Sequence, residues 1–317
     1  MTGKKQPLIL ICGPTGVGKS DLAVELALRI GGEIISADSV QVYRGLDIGS
    51  AKITTEEMRG VKHHLIDIID PDEEYGVNVF QKMAAEAISK IAENGHIPIV
   101  VGGTAFYIQA LMYGIDFTEE EDNDRSYRNS LMELGATTEG AMKLWNELNS
   151  IDSDYAASTH YNNVKRVVRA LEYYHNTGRK FSDYNREQSE RLPVYDCSYF
   201  ALTDDRELLY ERINKRVDVM LKNGLVDEVK GLLDKGYDQH LNSMSSIGYK
   251  EICEYLSGNC PYDEAIDMIK QNSRHYAKRQ LTWLRREKDV LFINRQDYPD
   301  NEGILDYIQK VIDKKED

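Results

Sequence analysis

The sequence predicts an α/β fold, a parallel sheet flanked by helices on both faces and interrupted by an all-helical insertion. Three observations carry the prediction. Short apolar runs at 8–12, 33–36, 64–69 and 97–101 alternate with segments of helical periodicity, as strand–helix–strand crossovers require. The first run enters Gly13-Pro14-Thr15-Gly16-Val17-Gly18-Lys19-Ser20, which fits G-x-x-x-x-G-K-[ST]. The rhythm breaks at Asp116, and from 127 to 177 the pattern is helical throughout before a strand returns at 195–202. The expected architecture is therefore a P-loop NTPase-like core of residues 1–115 with 191–317, and a helical insertion at 116–190.

Each element has its own reason. After the first strand, Gly13, Gly16 and Gly18 let the backbone curl so that successive N–H groups face one anion. The helix that follows has apolar residues at Leu22, Leu26 and Ile30, and its dipole adds positive charge at the loop. In this motif Lys19 reaches the outer phosphates and Ser20 holds Mg²⁺. A polyphosphate or diphosphate site is expected whatever the reaction. Asp38 stands just past the strand 33–36, where loops at strand carboxyl ends line the ligand crevice. Position alone leaves it three roles: proton acceptor, Mg²⁺ ligand or helix cap.

A strand at 64–69 leads into Asp70-Pro71 and a loop through Gly76, then a helix at 77–93 that stops at Asn94-Gly95. Gly102-Gly103-Thr104 follows the strand 97–101 and opens a helix to Gly114. Thr104 is a good helix cap and equally a hydrogen-bond donor across the crevice. The stretch 117–124 is acidic and turn-like. Helices are expected near 127–134, 139–149 and 163–177, with irregular chain at 181–191. Beyond the strand at 195–202 come helices at 205–222, 226–234 and 262–286, a strand at 289–293 and a helix at 303–314.

Hydrophobic content of 41% and charged content of 29% are ordinary for a soluble chain. No apolar run approaches a membrane span, and MTGKKQP does not read as a secretory leader, so the cytoplasm is expected. Cys12, Cys197, Cys253 and Cys260 form no C-x-x-C pair, which argues against a zinc site or a disulfide framework. A net charge of −14 argues against indiscriminate nucleic-acid binding. The charge is segregated, however. Lys270, Arg274, Lys278, Arg279, Arg285, Arg286 and Lys288 face a single acid, Glu287, between 270 and 288.

The run ISADSVQVYRGLDIGSAK at 35–52 closely resembles the block after the P-loop in tRNA dimethylallyltransferases, also called tRNA isopentenyltransferases. Further blocks resemble that family in its own order: VVGGTAFYIQAL at 100–111, RVVRALEYYHNTG at 166–178, RELLYERINKRVDVML with GLVDEV within 206–229, and SIGYKE with RHYAKRQLTWLR at 246–251 and 274–285. The usual Tyr-Ser is Tyr75-Gly76 here, the usual Lys-Pro is Lys52-Ile53, and Ile-His-Pro-Asn is Thr159-His160-Tyr161-Asn162. These departures touch loop geometry and spare the P-loop and Asp38.

The resemblance implies transfer of a dimethylallyl group from dimethylallyl diphosphate to N6 of the adenosine beside the anticodon of a tRNA. It makes Asp38 the proton acceptor, places Thr104 near the transferred group and base, and puts Arg216 on the diphosphate. Arg212, one turn from Arg216, is a candidate structural ion-pair partner. Mg²⁺ is the implied cofactor, held by Ser20. The implied partner is a tRNA anticodon stem-loop, whose target base must be extruded, and the chain is expected to act as a monomer. Asp38, Ser39, Val40 and Gln41 offer groups suited to adenine edges, with Thr104 beside them. Phosphate contacts are expected at Arg128, Lys165, Arg166 and Arg169 in the insertion, and at Arg274, Lys278, Arg279, Trp283 and Arg285 in the late helix. Ser246, Gly248, Tyr249 and Lys250 complete the expected RNA side. A P-loop small-molecule kinase shares the loop but leaves the basic late helix unexplained. An adenine-nucleotide isopentenyltransferase and an RNA-binding GTPase-like switch remain as alternatives, the latter without an N-K-x-D motif.

Overall fold

The apolar runs 8–12, 33–36, 97–101 and 195–202 become strands whose side chains are buried on both faces, as a parallel sheet covered by helices demands. The computed structural model describes residues 5–117 and 125–316. The chain opens with β1 (Pro7–Cys12), α1 (Lys19–Ile30), β2 (Gly32–Ala37), α2 (Thr55–Met58), β3 (His63–His64), α3 (Val77–Glu93), β4 (Ile97–Gly102) and α4 (Ala105–Tyr113). Five helices follow: α5 (Arg125–Leu134), α6 (Thr138–Ile151), α7 (Ser153–Ser158), α8 (Val164–Thr177) and α9 (Phe181–Ser189). The sheet then resumes with β5 (Asp196–Thr203), α10 (Arg206–Lys222), α11 (Leu225–Asp234), α12 (Tyr249–Leu256), α13 (Tyr262–Leu284), β6 (Leu291–Asn294) and α14 (Asn301–Glu316).

The strand order is β3-β2-β4-β1-β5-β6, and every pair is parallel. β1 lies between β4 and β5, in the register Ile11 with Val101 and Ile11 with Phe200. Its carboxyl end therefore opens in the interior of the sheet, flanked by the ends of β4 and β5, with β2 one strand further on. Leu22, Ala23, Leu26 and Ala27 of α1 pack on Ile9, Ile11, Ile34 and Ile99. This is the core that fixes the helix start against the strand end.

The chain divides into two compact units, residues 1–112 with 194–317, and residues 113–193. The second is helical and has a core of its own, with Leu144, Leu148, Val167, Leu171, Phe181 and Tyr184 buried together. Buried Asp152 serves two helices there: Oδ1 accepts Tyr155 N–H at 3.1 Å and Oδ2 accepts Ser182 N–H at 2.8 Å. The acidic residues 118–124 lie outside the described residues.

Two expectations are corrected. The strand expected at 64–69 is only His63–His64. Leu65 and Asp67 take left-handed φ of 62° and 54°, and the chain regains the sheet direction only in an isolated bridge of Ile69 with Tyr43. Side-chain ties hold this edge: His64 Nε2 and His96 Nδ1 each lie 2.6 Å from an oxygen of buried Glu33. The stretch expected to be irregular at 181–191 contains α9, because Phe181 and Tyr184, three apart, both enter the core of the helical unit. The short helices α7 and α12 were not expected either.

Candidate active site

The P-loop owes its shape to glycines at backbone angles that other side chains strain to adopt. Gly13, Gly16 and Gly18 have φ of 147°, 80° and 87°, and a Cβ on Gly13 would fall 2.6 Å from Leu202 O. At the first position of α1, Lys19 Nζ donates to Pro14 O at 2.8 Å. Burial brings its pKa down to about 8, and Arg216 adds to the effect while Asp38 opposes it. Arg216, from α10, donates to Thr15 Oγ1 at 3.2 Å. Burial lowers the Arg216 pKa too, and again Asp38 acts the other way. Two cations and one carboxylate thus share a single electrostatic neighbourhood. Arg212 takes the structural role, ion-paired with Asp204.

Asp38 follows β2. Its Oδ1 accepts Val40 N–H at 2.8 Å and Gln41 N–H at 3.2 Å. The carboxylate closes a turn and caps no helix, since residues 38–51 contain none. Oδ2 accepts no hydrogen bond among the described residues, which leaves it free to take a proton or to face a cation.

The loop after Asp38 is tightly held. Lys52 Nζ donates to Tyr43 O at 2.7 Å and to Asp47 Oδ1 at 2.6 Å, and it pairs with Asp67. Glu228 of α11 accepts the N–H groups of Asp47, Ile48 and Gly49 at 3.0, 2.7 and 3.1 Å. Gln41 uses its own amide within the loop, donating to Ala51 O at 3.2 Å and Ser50 O at 3.4 Å. It is not free to read a base edge here.

One cavity of about 440 Å³ collects the expected residues. Thr15, Lys19, Ser20, Asp38 and Arg216 line it, as do Ser39, Val40 and Gln41. Ser246, Gly248, Lys250 and Arg279 form another part of its wall. Gly13, Pro14, Gly16, Val17 and Gly18 shape the loop behind that lining. Thr104 follows Gly103 of the lining and meets the hydroxyl of Tyr276. Tyr276 is pushed up to about 12 by burial and then by the charge of Asp38, against its bonds to Thr104 and Gln280. Cys12, just before the loop, is also raised to about 12 by burial and stays a thiol at neutral pH.

Several expected contacts are placed elsewhere. Tyr249 is fully buried, and its hydroxyl donates to Glu228 Oε1 at 2.6 Å. It is a core residue, correcting its assignment to the RNA side. It also explains Gly49, where a Cβ would lie 2.5 Å from the Tyr249 ring. Trp283 packs edge-on against Phe106 and donates its Nε1–H to Glu287 at 2.8 Å. Arg274 is held by Asn214 Oδ1 at 2.6 Å, whereas Lys278, Arg279 and Arg285 are exposed. The Arg279 guanidinium lies 5.7 Å from the Tyr276 ring centre. In the helical unit Lys165 and Arg166 are exposed. Arg128 pairs with Glu172 at 3.3 Å, and Arg169 covers the Phe181 ring at 5.8 Å.

Sequence reasoning gave no role to Glu228 or Gln280. For Gln280 a signal was present: it is a polar residue in phase with the apolar positions Ala277, Leu281 and Leu284 of a helix. Glu228 had no such mark, because its value comes from the loop it meets.

The donors facing the cavity suit magnesium. The Ser20 hydroxyl is a hard oxygen ligand, and Mg²⁺ commonly binds through one or two protein groups plus phosphate oxygens. No cluster of three His, Cys, Asp or Glu side chains able to hold a metal occurs among the described residues. Among the described residues no helix is long and apolar enough to cross a membrane.

Comparison with known proteins agrees with this geometry. The family described as IPP transferase matches residues 41–287. The chain is 51% identical to a tRNA dimethylallyltransferase of Lachnoclostridium phytofermentans over 98% of this chain and 99% of the relative. It is 47% identical to one from Bacillus pumilus, over 93% and 91%. Among solved structures, a tRNA isopentenylpyrophosphate transferase from Bacillus halodurans aligns with a TM-score of 0.75 at 43% identity, covering 98% of this chain and 97% of the other. A eukaryotic dimethylallyltransferase, described as acting on tRNA, aligns with a TM-score of 0.80 at 30% identity, over 98% and 80%. With relatives collinear from before the P-loop to beyond α13, this chain belongs to the IPP transferase family.

Proposed function

We propose that this chain transfers a dimethylallyl group from dimethylallyl diphosphate to N6 of the adenosine 3′-adjacent to the anticodon in tRNA, releasing diphosphate. The observation that carries the reading is one cavity that holds a P-loop with two cations, Lys19 and Arg216, and a carboxylate with a free oxygen, Asp38. The C–N bond forms as the allylic C–O bond breaks. The electron pair of that bond leaves with the diphosphate, whose growing charge Lys19, Arg216 and the loop amides neutralise. The amine's lone pair is delocalised into the adenine ring, so its proton must be taken as the new bond forms. Asp38 Oδ2 takes it, while the Oδ1 turn holds the carboxylate in place. Thr104, oriented by Tyr276, lies on the same side and positions the acceptor. Ser20 would hold Mg²⁺, which would supply further charge neutralisation for the leaving group.

The partner is the anticodon stem-loop, with phosphates held by the exposed Lys278, Arg279 and Arg285 of the core and by Lys165 and Arg166 of the insertion, 116–190. The enzyme acts as a monomer in the cytoplasm, where its four free cysteines stay reduced. Asp38→Asn tests the assignment. It keeps the turn's acceptor oxygen but removes the base, so the transfer rate should fall about 10²–10⁴-fold with tRNA affinity nearly intact. Near-normal turnover would move Asp38 to the Mg²⁺-ligand role.

A further inference from the structure

Gln280 is 5% exposed, faces the cavity and has no part in the chemistry above. Both ends of its amide are engaged. Oε1 accepts Thr15 N–H at 2.9 Å, and Nε2 donates to Gly103 O at 2.9 Å. One side chain of α13 thus pins the P-loop to the turn after β4. Thr15 is also held from its other side, where Arg216 donates to its hydroxyl. Its amide, one of those a P-loop could offer an anion, is committed to Gln280 instead.

Gly103 is the counterpart. A Cβ there would stand 2.1 Å from Gln280 Nε2, while the nearest backbone atom, Gly13 O, is 3.5 Å away. The backbone at Gly103 is outside the left-handed region. The amide of Gln280, then, is what keeps residue 103 small. One turn earlier on the same face of α13, Tyr276 bonds Thr104, the residue after Gly103. The helix therefore sets the diphosphate cradle and the acceptor side from a single face.

We propose that Gln280 is a positioning residue that fixes the spacing between the P-loop and the Gly103–Thr104 turn, with Gly103 fitted to its amide. The proposal rests on the transferase reading for the identity of the donor. Misplacing reacting groups by about 1 Å costs on the order of 10²-fold in rate, so a loosened clamp should be visible in kinetics.

The test is a double-mutant cycle of Gln280→Ala and Gly103→Ala. Inorganic diphosphate affinity is read by calorimetry, and single-turnover transfer from dimethylallyl diphosphate to tRNA is measured beside it. Each single variant should slow transfer by about 10²-fold, weaken diphosphate binding and leave tRNA affinity unchanged. The double variant should be no worse than Gln280→Ala alone, because the added methyl then meets no amide. Multiplying losses, or a neutral Gly103→Ala, would overturn the clamp. Gln280→Met keeps most of the volume without the amide, and should show the same donor defect with a melting temperature near wild type. Wild-type kinetics in well-folded Gln280→Met would also overturn it. If wild-type protein fails to transfer while the diphosphate cycle behaves as described, the clamp stands and the donor assignment fails.

Discussion

Burial of the Lys19 ammonium, with Arg216 beside it, brings its pKa to about 8 from 10.5, so the ligand-free protein carries a charge that weakens its fold. Lys19→Met should therefore stabilise the ligand-free protein at pH 7 by about 1–3 kcal/mol while abolishing diphosphate binding. The sign follows from proton linkage. Between pH 8 and 10.5 the unfolded chain still binds the proton that the folded one has released, so wild-type stability rises with pH. The advantage of the variant should close over that window, which urea melts at pH 7 and above 10 would check. An advantage that is absent at pH 7 or constant with pH contradicts the burial argument. Lys19 and Asp38 were legible in the sequence because a local motif and a strand end fix their places. Gln280 and Glu228 were not, since a buried polar side chain takes its meaning from partners that only the tertiary structure supplies.

The basic residues of α13 share a helix but not a fate. Arg274 is tied to Asn214 of α10, while Lys278 and Arg285 are exposed. If the exposed pair holds tRNA phosphates, replacing both with Ala should flatten the log affinity against log salt slope by about one to two units. Arg274→Ala should instead lower the melting temperature and leave the slope unchanged, because its guanidinium braces two helices. Binding isotherms at several salt concentrations, beside melting curves, separate the two. An unchanged slope in the double variant would remove α13 from the RNA surface. Helix α3 was readable to the residue, since a strong periodic stretch is bounded by Gly76 and Asn94. Helix α9 was hidden, because only two of its residues, Phe181 and Tyr184, are buried and the rest reads as loop. Strand β3 was overestimated because the chain bends at Leu65 and Asp67, and the backbone after it bonds to residues 41–44 in place of β2.

For the whole molecule the question is how a chain of net charge −14 serves a polyanion. Long-range repulsion is offset only by short-range contacts on segregated cations, which is why the distribution of charge tells more than its sum. The division into an α/β unit and a helical unit was legible as a change of hydrophobic period, and the parallel sheet as continuous apolar strands. That the loops after β1, β2 and β4 share a crevice was legible from their strand ends, whereas the part that Gln280 of α13 plays in it was not, because that contact forms only once the helix packs on the sheet. The central claim is that this cavity transfers the allyl group of an allylic diphosphate to a tRNA base. Purified protein given labelled dimethylallyl diphosphate, Mg²⁺ and either tRNA or AMP tests it most directly, followed by digestion of the RNA to nucleosides and mapping of the label. The account predicts label in tRNA alone, as N6-dimethylallyladenosine at the position 3′-adjacent to the anticodon, with diphosphate released. Label appearing in AMP, or at another position of the tRNA, would contradict it.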